Sequence, residues 1–192
     1  MNFMHLNLRK KYQFSVIAIV LTLLFASLPQ RADAISYQQK LLMLKALMTI
    51  KFFKYSRWPD KENNSSDSYN LCVLDTPELL TAFNSVKGKL INGKELKVNQ
   101  VNYEQVNSSV CHLLYIGKNA PQQALKSLLE NLIKEPILTI SDQSGFAANG
   151  GMVELVTIDK KIAFNINLYK LRKSSLSISS SVLELADKVI KK

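Results

Sequence analysis

The sequence predicts an α/β fold: a single domain with a mostly parallel sheet, flanking helices and a C-terminal antiparallel hairpin. Short apolar runs bounded by turn residues alternate with helical patterns through the middle of the chain, which is typical of the βαβ units of a parallel sheet. The last third instead has two strand-like runs on either side of a short polar turn, which indicates a hairpin. The sequence shows neither an internal repeat nor a linker to a second domain.

The first 34 residues have the layout of a secretory signal peptide. A basic start precedes an apolar run from Phe14 to Leu28, and the small-residue motif Ala32-Asp33-Ala34 follows. The apolar run is shorter than the roughly 20 residues that span a bilayer, although a retained membrane anchor is the alternative. We expect cleavage after Ala34, which leaves residues 35–192 as a mature domain outside the cytoplasm.

The charge of the chain is basic, at +10, and removal of residues 1–34 lowers it by three to about +7. The lysines are scattered singly, without the aromatic-interleaved basic stripe typical of nucleic-acid binding. Nucleic acid is therefore not an expected partner. Attraction to anionic envelope polymers and a merely solvated surface both stay open.

A helix is predicted from Tyr37 to Tyr55, because no Gly or Pro interrupts that segment. Its apolar face is wider than one buried stripe needs. The extra width is explained either by the core alone or by a partner protein. For the second case Leu44 and Met48 are the candidate partner face. Pro59 ends the helical tendency, and Asp60 to Ser68 is predicted to be a polar loop.

The remaining elements alternate along the chain. Gly88 and Gly93 bracket a turn, and Ile158-Asp159-Lys160 joins the two strands of the hairpin. We predict strands over 71–74, 96–101, 112–116, 137–140, 152–157 and 161–165, and helices over 75–86, 121–134, 167–173 and 180–190. Asp75-Thr76-Pro77 is expected to cap the second helix and Ser179-Ser180 the last one.

The chain has two cysteines, Cys72 and Cys111, both in the predicted exported part. An even pair in an oxidising compartment predicts one disulfide. With the first strand beside the third, the two residues would also lie at similar heights in the sheet. Two separate buried thiols are the alternative.

Signals for catalysis or cofactor binding are missing from the sequence. The six glycines form neither a G-x-G-x-x-G motif nor a P-loop, and no G-x-S-x-G elbow occurs. His112, the single histidine of the mature part, begins an apolar strand and is interpreted as structural. Two cysteines and one histidine do not make an ordinary zinc site. We therefore expect no enzyme activity, no cofactor and no metal.

The most informative segment is the loop from Asp142 to Met152, which holds three glycines and an aromatic residue between two strands. Loops at the carboxyl end of a parallel strand are where open α/β sheets bind ligands. A plain tight connection into the hairpin explains the same residues equally well. The candidate binding-loop residues are Ser144, Gly145, Phe146, Gly150, Gly151 and Met152.

Several segments, in order along nearly all of the mature chain, together resemble the YfiR family of exported repressors. They are Lys54-Tyr55-Ser56-Arg57-Trp58-Pro59, Leu71-Cys72-Val73-Leu74, Gly93-Lys94-Glu95-Leu96, Cys111-His112-Leu113-Leu114-Tyr115-Ile116-Gly117, Gly145-Phe146, Gly150-Gly151-Met152, Phe164-Asn165-Ile166-Asn167-Leu168, and Ile178-Ser179-Ser180 with Leu183. The block from Gly-Gly-Met to Ser-Ser is the most specific.

The resemblance implies a periplasmic protein that represses an inner-membrane diguanylate cyclase by binding its periplasmic sensor domain. Such repression restrains cyclic-di-GMP signalling and biofilm formation, and an outer-membrane partner relieves it. The family often has a disulfide at the place of Cys72 and Cys111. A second cysteine pair of some members is absent, since Ser144 and Met152 lie in that region. The alternative function is a periplasmic binding protein for a small molecule or cell-wall fragment, and homodimerisation stays open.

Overall fold

The computed structural model describes residues 36–59 and 67–192. The predicted signal peptide, its cleavage site and most of the predicted polar loop lie outside the described residues. The helices are α1 (Tyr37–Tyr55), α2 (Pro77–Asn84), α3 (Gln122–Asn131), α4 (Leu168–Lys173) and α5 (Ser180–Glu184), with a 3-10 turn at Tyr103–Gln105. The strands are β1 (Ser56–Arg57), β2 (Ser68–Leu74), β3 (Leu90–Ile91), β4 (Lys94–Gln100), β5 (Leu113–Ile116), β6 (Leu138–Ser141), β7 (Val153–Ile158), β8 (Lys161–Asn167), β9 (Ser177–Ile178) and β10 (Lys188–Ile190).

Within the described residues, eight strands form one sheet in the order β10-β8-β7-β6-β5-β2-β4-β3. The five central strands from β7 to β4 are parallel, and β7 and β8 form an antiparallel hairpin. Asp159 and Lys160 take left-handed backbone angles at its two-residue turn, as a tight hairpin requires. The predicted fold class, a mostly parallel α/β domain with a C-terminal hairpin, is confirmed.

Helix α1 begins at Tyr37 and ends at Tyr55, as predicted. Ser36 is its N-cap, and Ser36 and Gln39 exchange side-chain-to-backbone hydrogen bonds of 3.2 and 2.9 Å. This capping box satisfies two of the N–H groups that a helix start leaves free. The helix buries Ala46, Thr49, Phe52 and Phe53, and thereby turns one side towards the sheet.

Both faces of the central strands are covered, which explains their continuous apolar sequences. On one face α1 and α2 pack against the sheet, where Phe83 of α2 meets Tyr115 of β5 edge to face. On the other face α3 contributes Leu125, Leu128 and Leu129. The side chains of β2 alternate between these two cores, with Leu71 and Val73 on the α1 side and Cys72 and Leu74 on the α3 side.

Cys72 and Cys111 are joined in a disulfide inside the core on the α3 side. Strand β2 lies beside β5, so the segment that precedes β5 brings Cys111 within reach. The Cα atoms are 5.6 Å apart, an ordinary separation for a disulfide. The pairing predicted from the sequence is therefore present in the fold.

Two local predictions were wrong. The last predicted helix, 180–190, ends at Glu184, and Lys188–Ile190 instead forms β10, parallel to β8. Ser68, predicted to be loop, begins β2. Thr76 and Ser179 are the N-cap residues of α2 and α5, as predicted, although neither side chain makes a capping hydrogen bond. Strand β10 forms because the β-branched residues Val189 and Ile190 pair with the open edge of β8. This pairing outweighs the weak local helix preference of the segment.

Candidate functional site

Close contacts between protein groups occupy part of the usual ligand position of such a sheet. From β2 the chain runs to β4 on one side and returns to β5 on the other, and ligands commonly bind between two such strands at their carboxyl ends. Here a Cβ on Gly117 would overlap the backbone of Asp75. The Tyr103 hydroxyl also donates a 2.5 Å hydrogen bond to Asp75. Asp75, Gly117 and Tyr103 are therefore in close contact at the carboxyl ends of β2 and β5.

The loop 142–152 follows β6, and two buried polar side chains hold its backbone through hydrogen bonds. The Glu154 carboxylate accepts hydrogen bonds from the N–H groups of Gly145 at 2.8 Å and Ala147 at 3.2 Å. Asn167 donates to the carbonyl of Ala147 at 2.7 Å. Glu154 was not selected from the sequence as a site residue. Its acidic group between apolar residues of β7 was the available signal.

The candidate binding-loop residues separate into two groups. Phe146, Gly151 and Met152 are buried, and Phe146 is only 2% exposed in the core beside α3. Ser144 is exposed, and Gly145 and Gly150 are half-buried with positive φ angles of 76° and 107°. Ser144, Phe146 and Gly150 line a cleft, and Gly145 is not part of its lining. The loop thus combines a buried anchor with an accessible rim.

A buried ion pair fastens α1 to the start of this loop. The Lys45 ammonium lies 2.5 Å from Asp142 Oδ2, although the two residues are 97 positions apart. Burial raises the pKa of Tyr115, and the charge of Asp142 raises it further, so a neutral hydroxyl borders the pair. The pair fixes the position of the loop relative to the helix.

The outer face of α1 exposes apolar side chains among lysines. Leu44 is 46% exposed, and Met43, Leu47 and Tyr55 are also exposed. Met48, the second candidate partner-face residue, is half-buried at the mouth of a groove. Three lysines of this helix, Lys40, Lys51 and Lys54, are exposed, and the helix has no acidic residue. This face therefore offers a positively charged apolar surface.

The groove beside this face has a volume of about 500 Å³. It runs between α1, β8 and the segment of α5. Its lining is mostly apolar: Met48, Lys51, Phe52, Tyr55, Ile162, Ala163, Phe164, Ser181, Val182 and Leu185. Leu185 is 74% exposed at its border. The exposed apolar area of α1 thus continues into the groove.

His112 has the contacts of a structural residue. Its Nδ1 accepts a hydrogen bond of 3.1 Å from the N–H of Asn70, and its ring packs edge-on against Trp58 and Tyr69. Burial lowers the pKa of His112, and Lys94 lowers it further. The imidazole is therefore neutral near pH 7 and serves the packing of this corner.

Within residues 36–59 and 67–192, no group of three His, Cys, Asp or Glu side chains could hold a metal ion. In the same ranges, none of the helices is long and apolar enough to cross a membrane. Two candidate surfaces of the described residues are the face of α1 with its groove and the cleft beside the loop 142–152.

A protein-family model described as YfiR/HmsC-like matches residues 43–187. The chain belongs to the YfiR/HmsC-like family. The resemblance noted in the sequence is thereby confirmed. YfiR-like proteins are periplasmic and regulatory rather than catalytic, and they act in membrane diguanylate cyclase signalling. The matched range includes α1 from Met43, the disulfide and the loop 142–152.

Among solved structures, the YfiR/HmsC-like chain is similar to the ABC domain in complex with L-Trp from Streptococcus pneumonia. The TM-score is 0.47 and the sequence identity 12%. The match covers 76% of this chain and 60% of that chain, so this chain spans less than two thirds of that structure. A likeness at this level supports no inference about a ligand.

Replacing Gly151 with alanine is expected to lower the free energy of unfolding by about 1–3 kcal/mol. A Cβ at this position would fall among the ring atoms of Phe146, and that ring is enclosed in the core. Urea unfolding of Gly151→Ala measures the loss. Adding Phe146→Leu makes room for the methyl group, so the double variant should lose less than the sum of the two single losses. Full additivity would contradict the proposed overlap.

Proposed function

We propose that this protein represses an inner-membrane diguanylate cyclase by binding its periplasmic domain through the outer face of α1. Membership of a family of periplasmic regulators in diguanylate cyclase signalling is the observation that carries the proposal. Repression requires that the protein bind one state of the cyclase more tightly than the other. Cyclic-di-GMP and surface attachment then fall with the population of the active cyclase.

The chemistry of α1 supports its choice as the contact surface. Leu44 and Leu47 are exposed on a helix with three exposed lysines and no acidic residue. Burying exposed leucines against a partner is favourable by about 25 cal/mol for each Å² removed from water. The lysines favour a partner surface that carries acidic residues around an apolar centre. Such a surface on the cyclase would bury the apolar side chains without opposing like charges.

Deletion of the gene for this protein is expected to raise cellular cyclic-di-GMP and surface attachment. The increase should vanish when the partner cyclase is deleted as well, because the proposed effect passes through that enzyme alone. Leu44→Asp should reproduce the deletion while the protein stays abundant, since an exposed residue contributes little to folding. Mass spectrometry of the nucleotide and immunoblotting of the protein measure both quantities.

Leu90→Asp is the matched control, because Leu90 is an even more exposed leucine, at 73%, on the edge strand β3. This variant should keep full repression. Equal loss of repression in Leu44→Asp and Leu90→Asp would argue against a contact on α1. Unchanged cyclic-di-GMP in the deletion strain would overturn the proposed function itself.

A further inference from the structure

A second cleft lies on the opposite side of the sheet from the groove beside α1. It is bounded by α3, by the loop 142–152 and by Lys170 of α4, and its volume is about 450 Å³. Leu125, Leu129 and Phe146 form its apolar part. Its polar groups are Gln122, Lys126, Glu130, Gln143, Ser144, Asn149 and Lys170. A concave site of this size, in which polar groups from several elements converge beside an apolar part, is a candidate for small-molecule binding.

The polar rim is held in place by the fold. Gln143 donates from its amide to the carbonyl of Ala120 at 3.2 Å and from its backbone N–H to Ser141 at 3.0 Å. Asn167 accepts from the N–H of Lys170 at 3.0 Å while it donates to Ala147 in the loop. One buried side chain therefore fixes the start of α4 against the loop. A rim ordered in advance lowers the entropic cost of binding.

The cleft carries an excess of positive charge. Lys170 is half-buried, and a Cβ on Gly150 would lie 3.8 Å from its Nζ atom, so the ammonium lies over the loop. In the described part of the chain, neither Lys170 nor Lys126 has a carboxylate within ion-pair distance. Glu130 is the single acidic residue of the lining. A partly desolvated ammonium without a counter-charge favours an anionic ligand.

We infer that this cleft binds a small organic anion whose carboxylate or phosphate group contacts Lys170. Hydroxyl or amide groups of the ligand would bond Gln143, Ser144 and Asn149, and its less polar side would rest on Leu129 and Phe146. The volume is within the range of small-molecule sites and is sufficient for a substituted monosaccharide. The inference is independent of the cyclase proposal, because the cleft and the face of α1 share no lining residue.

Three sugars separate the possible sources of the anion. N-acetylmuramic acid carries a carboxylate, N-acetylglucosamine 6-phosphate carries a phosphate, and N-acetylglucosamine is the neutral control. Isothermal titration of the purified protein should show binding of at least one anionic sugar, with the neutral sugar at least tenfold weaker. The stronger anion identifies carboxylate or phosphate as the recognised group. Equal affinity for the neutral sugar, or no binding of either anion at millimolar concentration, would overturn the inference.

Lys170→Gln should weaken binding of the anionic sugar at least tenfold and leave the thermal unfolding midpoint unchanged. Lys173→Gln is the matched control, since Lys173 is exposed on the same helix and lies over the Tyr169 ring, outside the cleft. Its affinity should equal that of the wild type. Equal weakening by the two substitutions would show a general charge effect and would reject the site.

Discussion

Replacing Lys45 with methionine is expected to lower the free energy of unfolding by about 3–5 kcal/mol. The Lys45 and Asp142 side chains are only 12% and 7% exposed, and they form a direct ion pair. Methionine keeps most of the length and volume of the lysine stem, so the substitution mainly removes the charge. The Asp142 carboxylate would then stay buried next to the neutral Tyr115 hydroxyl without an opposite charge. Urea unfolding followed through Trp58, the single tryptophan of the chain, measures the loss.

Two further variants distinguish loss of the ion pair from a general effect of altering α1. Lys51→Met changes an exposed lysine of the same helix and should shift the free energy of unfolding by about 0.5 kcal/mol or less. Combining Lys45→Met with Asp142→Asn removes both charges, and this double variant should be more stable than Lys45→Met alone. If Lys45→Met were as harmless as Lys51→Met, the pair would not hold the loop to the helix.

The local sequence pattern was sufficient to predict the elements whose apolar residues recur with a strong periodicity. Helix α1 has the predicted bounds, because its apolar residues, its lack of Gly and Pro and the Ser36 start all favour one structure. The parallel strands and the hairpin were predicted to within a few residues. The pairing of Cys72 with Cys111 also followed from the sequence, since the chain offers no other thiol.

Interactions between distant segments account for what the sequence did not predict. Strand β10 exists because Lys188–Ile190 finds the free edge of β8, and Ser177–Ile178 is a strand only because it pairs with β1. Phe146 is an aromatic residue in a glycine-rich loop, a pattern equally compatible with an exposed contact and with the buried anchor it proves to be. The Lys45 to Asp142 pair joins two segments whose spacing along the chain gives no sign of contact.

The proposed contact face of α1 and the proposed cleft differ in how far the sequence could indicate them. The excess apolar width of α1 was visible in the sequence, and Leu44 is indeed exposed. The cleft needs Lys170 from α4 beside Asn149 and Gly150 from the loop, and Asn167 brings these segments together through hydrogen bonds at 2.7 and 3.0 Å. Hydrogen bonds between distant segments leave no periodic pattern in the sequence. Only the loop part of the cleft could therefore be selected from the sequence.

Removing the disulfide with the double substitution Cys72→Ala and Cys111→Ala is expected to cost about 4 kcal/mol. The bridge joins residues 39 positions apart, and cross-linking a loop of that length restricts the unfolded chain by about that amount in the chain-entropy model. Both cysteines are buried in the core on the α3 side, so the small cavities left by alanine add to the loss. Non-reducing urea unfolding of the variant and the wild type measures the difference.

The slope of the unfolding transition tests whether this loss arises in the unfolded state. An oxidised unfolded chain is more compact and exposes less surface, so the denaturant dependence should be steeper for the variant than for the oxidised wild type. Reduction of the unfolded wild type should bring its transition close to that of the variant, apart from the cavity contribution. An equal midpoint for oxidised wild type and variant would show that the bridge adds no stability. A lower midpoint with an unchanged slope would place the effect in the packing of the folded core, because the unfolded ensemble would then be equally expanded in both proteins.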